Sequence, residues 1–133
     1  MQEITTDLWS LLLPEEWQAE QDEETIVVFD DDEVSSIEIT PVMPENGMTV
    51  AALLASMVDK NYKQTVLAEL PAYYGEFVEE DMFWREWFCD AGEFVLILSH
   101  GTESENKGMD DGVVNEILDT LFIQAGEEEG AAE

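Results

Sequence analysis

Positively charged residues are scarce in this sequence. Its 133 residues include 4 Lys and Arg against 33 Asp and Glu, which gives a formal net charge of −29 at pH 7. Nucleic acids and anionic membranes are bound chiefly through Lys and Arg, so this charge argues against both as partners. It favours a basic protein partner, which a carboxylate surface could dock or mask in the manner of an immunity protein or a DNA mimic.

Cysteine and histidine are scarcer still, with one of each, Cys89 and His100. A single cysteine excludes an intramolecular disulfide, and the two residues are too few for a zinc site. The apolar run at residues 11–13 is too short for a signal peptide or a membrane span. We therefore expect a soluble, cytoplasmic protein without a cofactor.

Apolar residues are abundant by comparison, at 45 % of the chain, and they include 4 Trp, 6 Phe and 3 Tyr. Disordered acidic chains lack such content, so a folded core under a carboxylate surface is expected. The length fits one domain. We expect this domain to span residues 1–125 and to be followed by a disordered acidic tail at residues 126–133.

The apolar pattern predicts a mixture of strands and helices. Alternation and β-branched residues indicate strands, whereas apolar positions spaced by three and four indicate helices, the first of them capped by Thr49. Residues 101–108 are expected to form a mobile polar loop. The predicted strands are 25–29, 34–42, 65–70, 73–79, 82–90 and 93–100, and the predicted helices are 50–61 and 109–121.

The strands at 82–90 and 93–100 form the clearest predicted hairpin, with Ala91-Gly92 as a tight turn. In this register His100 lies opposite Phe83. Both faces of the pair are apolar, which indicates cover on both sides. The predicted fold class is α+β, an antiparallel sheet with helices on both faces (an α/β/α sandwich), or with a helix on one face and the N-terminal segment on the other.

Four motifs of this chain carry a family resemblance. They are LP-x-x-W (Leu13, Pro14, Trp17), Y-G-x-F (Tyr74, Gly75, Phe77), W-R-x-W (Trp84, Arg85, Trp87) and a terminal V-x-x-I-L-x-x-L (Val114, Ile117, Leu118, Leu121). In this order the pattern resembles small uncharacterised bacterial domains with the PsbP-like α/β/α sandwich. Relatives of that fold, photosystem II PsbP and the yeast Mog protein that binds the Ran GTPase, act by binding proteins. The resemblance therefore implies a binding role.

Catalytic and metal-binding patterns are weak. Cys89 and His100 are the only nucleophile and base worth pairing, and the predicted hairpin separates them by about six residues, or roughly 20 Å. We expect Cys89 to be a buried apolar residue and His100 to be structural or exposed. The carboxylate clusters at 30–33 and 110–111 lack the glycine and the spacing of a calcium loop, so no dedicated metal site is expected.

Arg85 is the sole arginine and lies between Trp84 and Trp87. Its guanidinium could pair with a carboxylate and pack on an aromatic ring, so that it holds two elements together. Alternatively, it could be the anion receptor of a cleft. Both interpretations remain open from the sequence.

The leading hypothesis is a non-enzymatic interaction domain whose acidic surface docks a basic protein. The acids assigned to that surface have high local charge without interleaved lysine: Asp30, Asp31, Asp32, Glu33, Glu79, Glu80 and Asp81. One alternative is a housekeeping domain adapted to a high-salt cytoplasm, in which carboxylates would be spread evenly. Further alternatives are a small-ligand-binding domain and, least favoured, an enzyme with perturbed carboxylates in a pocket. A homodimer through the aromatic-rich hairpin is also open.

Overall fold

The computed structural model describes residues 2–6, 8–30, 35–45, 47–58, 61–106 and 111–123. Within these residues the strands are β1 (Gln2–Thr5), β2 (Trp9–Leu13), β3 (Trp17–Asp22), β4 (Thr25–Asp30), β5 (Ser35–Val42), β6 (Lys63–Leu67), β7 (Leu70–Glu79), β8 (Met82–Asp90), β9 (Val95–Glu103) and β10 (Phe122–Ile123). The helices are α1 (Val50–Met57), α2 (Asp111–Asp119) and a short 3-10 helix at Ser104–Asn106.

The strands form two antiparallel sheets. The larger sheet has seven strands in the order β3-β4-β5-β9-β8-β7-β6, and the smaller has three in the order β1-β2-β10. All of the pairings described are antiparallel. The predicted α+β class, with a mainly antiparallel sheet and two helices, is confirmed.

Most of the buried apolar side chains lie on one face of the larger sheet. Leu98 of β9 belongs there to one cluster with Trp9 of β2 and Leu118 of α2. Because successive side chains of a strand point to opposite faces, the neighbouring positions belong to the other face. There Phe88 of β8 packs with Leu54 of α1. We call these two surfaces the α2 face and the α1 face.

The hairpin of β8 and β9 differs from the predicted register by two residues. His100 pairs with Arg85 rather than with Phe83. The connection is a four-residue loop, 91–94, closed by a hydrogen bond of 3.0 Å from its first N–H to its last carbonyl, and the predicted two-residue turn is wrong. A shift of two residues keeps every side chain on its own face, so the prediction of two apolar faces survives the error.

Several predicted boundaries are also wrong. β9 continues to Glu103 because Thr102 is buried and pairs with Ser35, so residues 101–106 are ordered as strand and 3-10 helix rather than as a mobile loop. α1 ends at Met57 instead of at the predicted residue 61, and Lys63 begins β6. The predicted tail at 126–133 lies outside the described residues.

The N-terminus of α1 agrees with its prediction. The Thr49 hydroxyl accepts a hydrogen bond of 3.0 Å from the Ala52 N–H and so caps the helix. In the part of the chain that the structure describes, no helix has the length and apolar character needed to cross a membrane.

Candidate functional site

The second acidic group predicted from the sequence lies in the turn between β7 and β8. Glu79 ends β7, Glu80 and Asp81 form the turn, and all three side chains are exposed. Register places Met82, the first residue of β8, between Glu79 on one side and Glu103 of β9 on the other. Because β9 extends to Glu103, this residue lies beside the β7–β8 turn and not in the predicted 101–108 loop.

Asp30, from the first predicted group, lies at the same end of the sheet. It is the last residue of β4, and β5 starts nearby at Ser35, which pairs with Thr102 next to Glu103. Asp31, Asp32 and Glu33 lie outside the described residues. We call the set Asp30, Glu79, Glu80, Asp81, Glu103 and Glu105 the acidic end.

A cleft of about 540 Å³ opens within the acidic end. The Ser104 N–H donates a 2.8 Å hydrogen bond to the Asp81 carbonyl, which joins the β7–β8 turn to the 3-10 helix. The lining residues are Glu80, Asp81, Met82, Glu103, Ser104 and Glu105. Carboxylates around one cleft repel each other and gain stability from a nearby cation.

The turn itself has an unfavourable backbone conformation for its residues. Glu80 and Asp81 have φ angles of 53° and 69°, both in the left-handed region. Two-residue hairpin turns with this geometry favour Asn-Gly because larger residues are strained there. Acidic side chains are therefore presented at this tip at some cost in stability.

Neither cation among the described residues belongs to the acidic end. Lys63 starts the edge strand β6 and pairs with Tyr74, in the middle of β7. Arg85 is only 6 % exposed and lies on the α2 face. Neither described cation, Lys63 or Arg85, therefore lies beside the β7–β8 turn at 79–81.

The opposite end of the sheet also carries acids. Glu23 and Glu24 form the β3–β4 turn, Glu69 belongs to the β6–β7 turn and Glu93 lies in the β8–β9 loop, and all four are exposed. Carboxylates therefore occupy both ends of the sheet. The salt-adaptation alternative predicts such a spread.

Arg85 is part of a buried polar cluster on the α2 face. Its Nε donates to His100 Nδ1 at 3.1 Å and its Nη1 donates to Asn115 Oδ1, also at 3.1 Å, so β8, β9 and α2 are joined. The guanidinium carbon lies 5.1 Å from the centre of the Trp87 ring, which is the aromatic contact expected from the sequence. The acceptors of these two hydrogen bonds are an imidazole and an amide. The carboxylate partner and the anion receptor expected of Arg85 both stay predictions.

Tyr74 lies beside this cluster and contacts the Trp87 ring, with 5.0 Å between ring centres. Its hydroxyl donates a 2.6 Å hydrogen bond to Glu76. Burial, followed by the hydrogen bond and charge of Glu76, raises the pKa of Tyr74 well above its usual value near 10. Tyr74 therefore stays protonated throughout the neutral range.

Cys89 and His100 are not brought together. Cys89 pairs with Leu96, four residues before His100 along β9 rather than the predicted six, so the two lie about 13 Å apart. Burial raises the pKa of the Cys89 thiol to about 12, which keeps it un-ionised and a poor nucleophile at neutral pH. His100 was expected to be either structural or exposed. It is 1 % exposed, which agrees with the structural role.

Among the described residues, no three His, Cys, Asp or Glu side chains are grouped so as to hold a metal ion. Asp110, and with it most of the 30–33 cluster, lies outside these residues, and nothing is described of the Asp111 side chain.

At the level of sequence, no family model and no curated protein matches this chain. Solved structures do match it. Cyanobacterial PsbP (CyanoP) from Synechocystis sp. PCC 6803 superposes with a TM-score of 0.66 at 11 % identity, over 92 % of this chain and 91 % of that one. The chain therefore has the PsbP-like fold, as the resemblance implied.

Two further structures share the architecture. A Bacteroides thetaiotaomicron protein matches with a TM-score of 0.67 at 16 % identity over 86 % of this chain, which spans only 44 % of that protein. LpqN of Mycobacterium tuberculosis, described as involved in cell envelope biogenesis, matches with a TM-score of 0.57 at 13 % identity, over 86 % of this chain and 82 % of LpqN. Identities this low establish the fold alone.

Proposed function

We propose that this chain is a non-catalytic interaction domain whose acidic end docks a basic protein. The observation that carries the proposal is the strand register, which brings Asp30 and Glu103 to the same end of the sheet as the β7–β8 turn at 79–81. Neither described cation, Lys63 or Arg85, lies there. A partner that supplies Lys or Arg would relieve the repulsion among these carboxylates.

The physical basis of such docking is electrostatic complementarity. A net charge of −29 attracts a basic surface over long distances and speeds encounter, and this attraction falls as salt rises. The docking proposal therefore implies binding that weakens steeply over the range in which the Debye length drops from about 30 Å to about 8 Å.

For the layers, we infer that each face of the larger sheet is covered by one helix, as in an α/β/α sandwich. Leu54 of α1 packs with Phe88, and Leu118 of α2 belongs to the cluster that contains Leu98. Phe88 and Leu98 belong to opposite faces of the paired strands β8 and β9. In this arrangement neither of the two helices covers the exposed acids Glu79, Glu80 and Asp81 at the end of the sheet.

The proposal is tested by comparing the two ends of the sheet with equal changes of charge. The triple variant E79Q/E80Q/D81N removes three charges at the acidic end, and the control E23Q/E24Q/E69Q removes three at the opposite end. The probe is a 12-residue peptide of alternating Lys and Ser. Because exposed ion pairs contribute about 0.2–1 kcal/mol each, we expect the first variant to bind the probe about tenfold more weakly at low salt.

The control variant should lose less than about threefold, since only the long-range field changes. Equal losses in both variants would contradict docking at the acidic end. Binding that survives high salt would contradict an electrostatic origin.

Adaptation to high salt is the second candidate, and the acids at the opposite end of the sheet favour it. Glu23, Glu24, Glu69 and Glu93 show that carboxylates are not confined to one surface. This candidate predicts that the free energy of unfolding rises with KCl up to molar concentration. A plateau once the charges are screened would count against it.

A further inference from the structure

Two aromatic rings on the α1 face lie flat against glycines. A Cβ atom built on Gly101 would be 2.6 Å from the Trp84 ring, and one built on Gly75 would be 2.6 Å from the Tyr62 ring. Both glycines are buried by these rings. Only glycine, which has no Cβ atom, leaves room for a ring at these two positions. Each ring therefore lies directly on the backbone of the sheet.

Two more rings on this face stack with the first two, so that the rings form two pairs. Phe77 lies nearly parallel to Trp84, with 6.3 Å between ring centres and 16° between planes. Tyr62 stacks on Phe88 at 5.4 Å and 7°. We call Tyr62, Phe77, Trp84 and Phe88 the aromatic shelf.

A carboxylate lies within the shelf. Glu86 is two residues from Trp84 on β8 and therefore shares its face. Its Oε1 accepts a 2.6 Å hydrogen bond from the Tyr62 hydroxyl, and its Oε2 accepts a 3.1 Å hydrogen bond from Ser99. Each carboxylate oxygen has a second lone pair, so a fixed Glu86 can still accept from a ligand.

The outer part of the shelf is accessible. Trp84 is half-buried, whereas the other three tryptophans of the chain are 6 % exposed or less, and Phe77 is 38 % exposed. Glu79 and Glu103 lie on the same face, one row nearer the acidic end, as shown by their pairing with Met82. The shelf is therefore continuous with the acidic end.

We propose that the aromatic shelf and Glu86 bind an arginine side chain of the basic partner, an inference that rests on the proposed function. A planar guanidinium stacks on an aromatic ring and presents several donors in a fixed fork, and both features match a ring beside a held carboxylate. A lysine ammonium gains the charge attraction but not the planar fit. The acidic end supplies attraction to either cation, and the shelf supplies the preference for arginine.

The test compares two peptides of equal length and charge, alternating Arg-Ser and alternating Lys-Ser, by calorimetry at about 0.1 M salt, where the Debye length is about 10 Å. We expect the wild-type protein to bind the Arg peptide at least about fivefold more tightly, with a change in Trp84 fluorescence. The variants F77A and E86Q should each reduce this preference to below about twofold.

Matched controls lie on the same or the neighbouring strand but on the α2 face. Val78 is exposed and adjacent to Phe77, and Glu76 is an exposed carboxylate of β7. V78A and E76Q should therefore keep the preference for arginine. Loss of preference in the controls as well would overturn the assignment to the shelf.

The remaining outcomes separate the two proposals. Equal binding of both peptides to the wild type, still weakened by E79Q/E80Q/D81N, would overturn the shelf and leave docking at the acidic end intact. No binding of either peptide would overturn both. The difference in acrylamide quenching between the wild type and the W84F variant gives the exposure of Trp84 in the free protein. If Trp84 is as shielded as the buried tryptophans, part of this chain already covers the shelf and the inference fails.

Discussion

On the α2 face, Leu98 and His100 of β9 are at most 1 % exposed, whereas Ile97 and Ser99 of the same strand, on the α1 face, are half-buried. Trp9 of β2 and Leu118 of α2 belong to the same buried cluster as Leu98. We therefore expect the α2 face to contribute more to stability, while the α1 face leaves polar and aromatic side chains accessible.

We attribute the higher exposure of the α1 face to the short length of α1. α1 has eight residues and is about 12 Å long, while a nine-residue strand such as β8 extends about 30 Å. α1 reaches Phe88 but not the row of Trp84. Among the described residues, the row of Trp84 and Gly101 is occupied on this face by the Trp84 ring, which lies against Gly101.

Neighbouring residues on β9 give the largest test of this comparison. Leu98→Ala should reduce the free energy of unfolding by about 2–5 kcal/mol, because a fully buried side chain is replaced by a cavity. Ile97→Ala should cost less than half as much, since its side chain is already partly in water. Urea unfolding at one fixed salt concentration measures both. Equal losses would show that the two faces contribute equally.

Two glycines sharpen the comparison with changes of opposite sign. Gly101→Ala should destabilise the protein by about 1–3 kcal/mol, because the new Cβ overlaps the Trp84 ring at 2.6 Å and the ring or the strand must move. Gly112→Ala, in α2, meets nothing within 4 Å and should stabilise the protein by up to about 1 kcal/mol. Thermal unfolding gives both signs, and a neutral Gly101→Ala would mean that Trp84 is not seated on the strand.

The sequence predicted the faces better than the ends. The apolar residues of β8 and β9 identified two apolar faces. The apolar spacing of the second predicted helix identified Val113, which is only partly buried, and four buried residues of this region: Val114, Ile117, Leu118 and Leu121. Register was wrong because loop length decides it, and a pattern of period two is unchanged by a shift of two residues. That error also hid the Arg85–His100 contact.

The acidic end and the shelf were only partly predictable. The dense charge at 79–81 is visible in the sequence, but Glu103 joins it only through the pairing of β9 with Met82. β1 and β3 were missed because they are short and largely polar. Nothing in the sequence predicted a role for Glu86, because its hydrogen-bond partners Tyr62 and Ser99 are distant in the chain.

Cys89 is a buried free cysteine on the α2 face, so its ionisation and its reactivity test whether that face stays closed. Burial raises the pKa of its thiol to about 12, above that of an exposed thiol near 9, so the unfolded state loses its proton first as pH rises. The thiol's contribution to stability is therefore fully present below pH 9 and is lost as pH rises toward 12. Between pH 9 and 10 we expect a loss of about 1 kcal/mol from this group.

Cys89→Ala should remove this contribution and flatten the alkaline slope, while Tyr74, which titrates in both proteins, cancels in the difference. A thiol reagent should react with native Cys89 only at the rate of unfolding. Fast labelling of the folded protein at pH 8 would show that the α2 face opens locally.

The smallest effect is expected at the N-cap of α1. The Thr49 hydroxyl satisfies the Ala52 N–H, so Thr49→Ala should cost about 0.5–1 kcal/mol, whereas Thr49→Ser keeps the cap and should cost little. Because Leu54 is the buried residue of α1, the helix is held by few contacts and should loosen on its own. Hydrogen exchange in the alanine variant should then speed up in α1 and stay unchanged at Leu118 of α2. A uniform loss of protection would mean that both faces unfold as one unit, and the distinction between a stable face and an accessible face would fail.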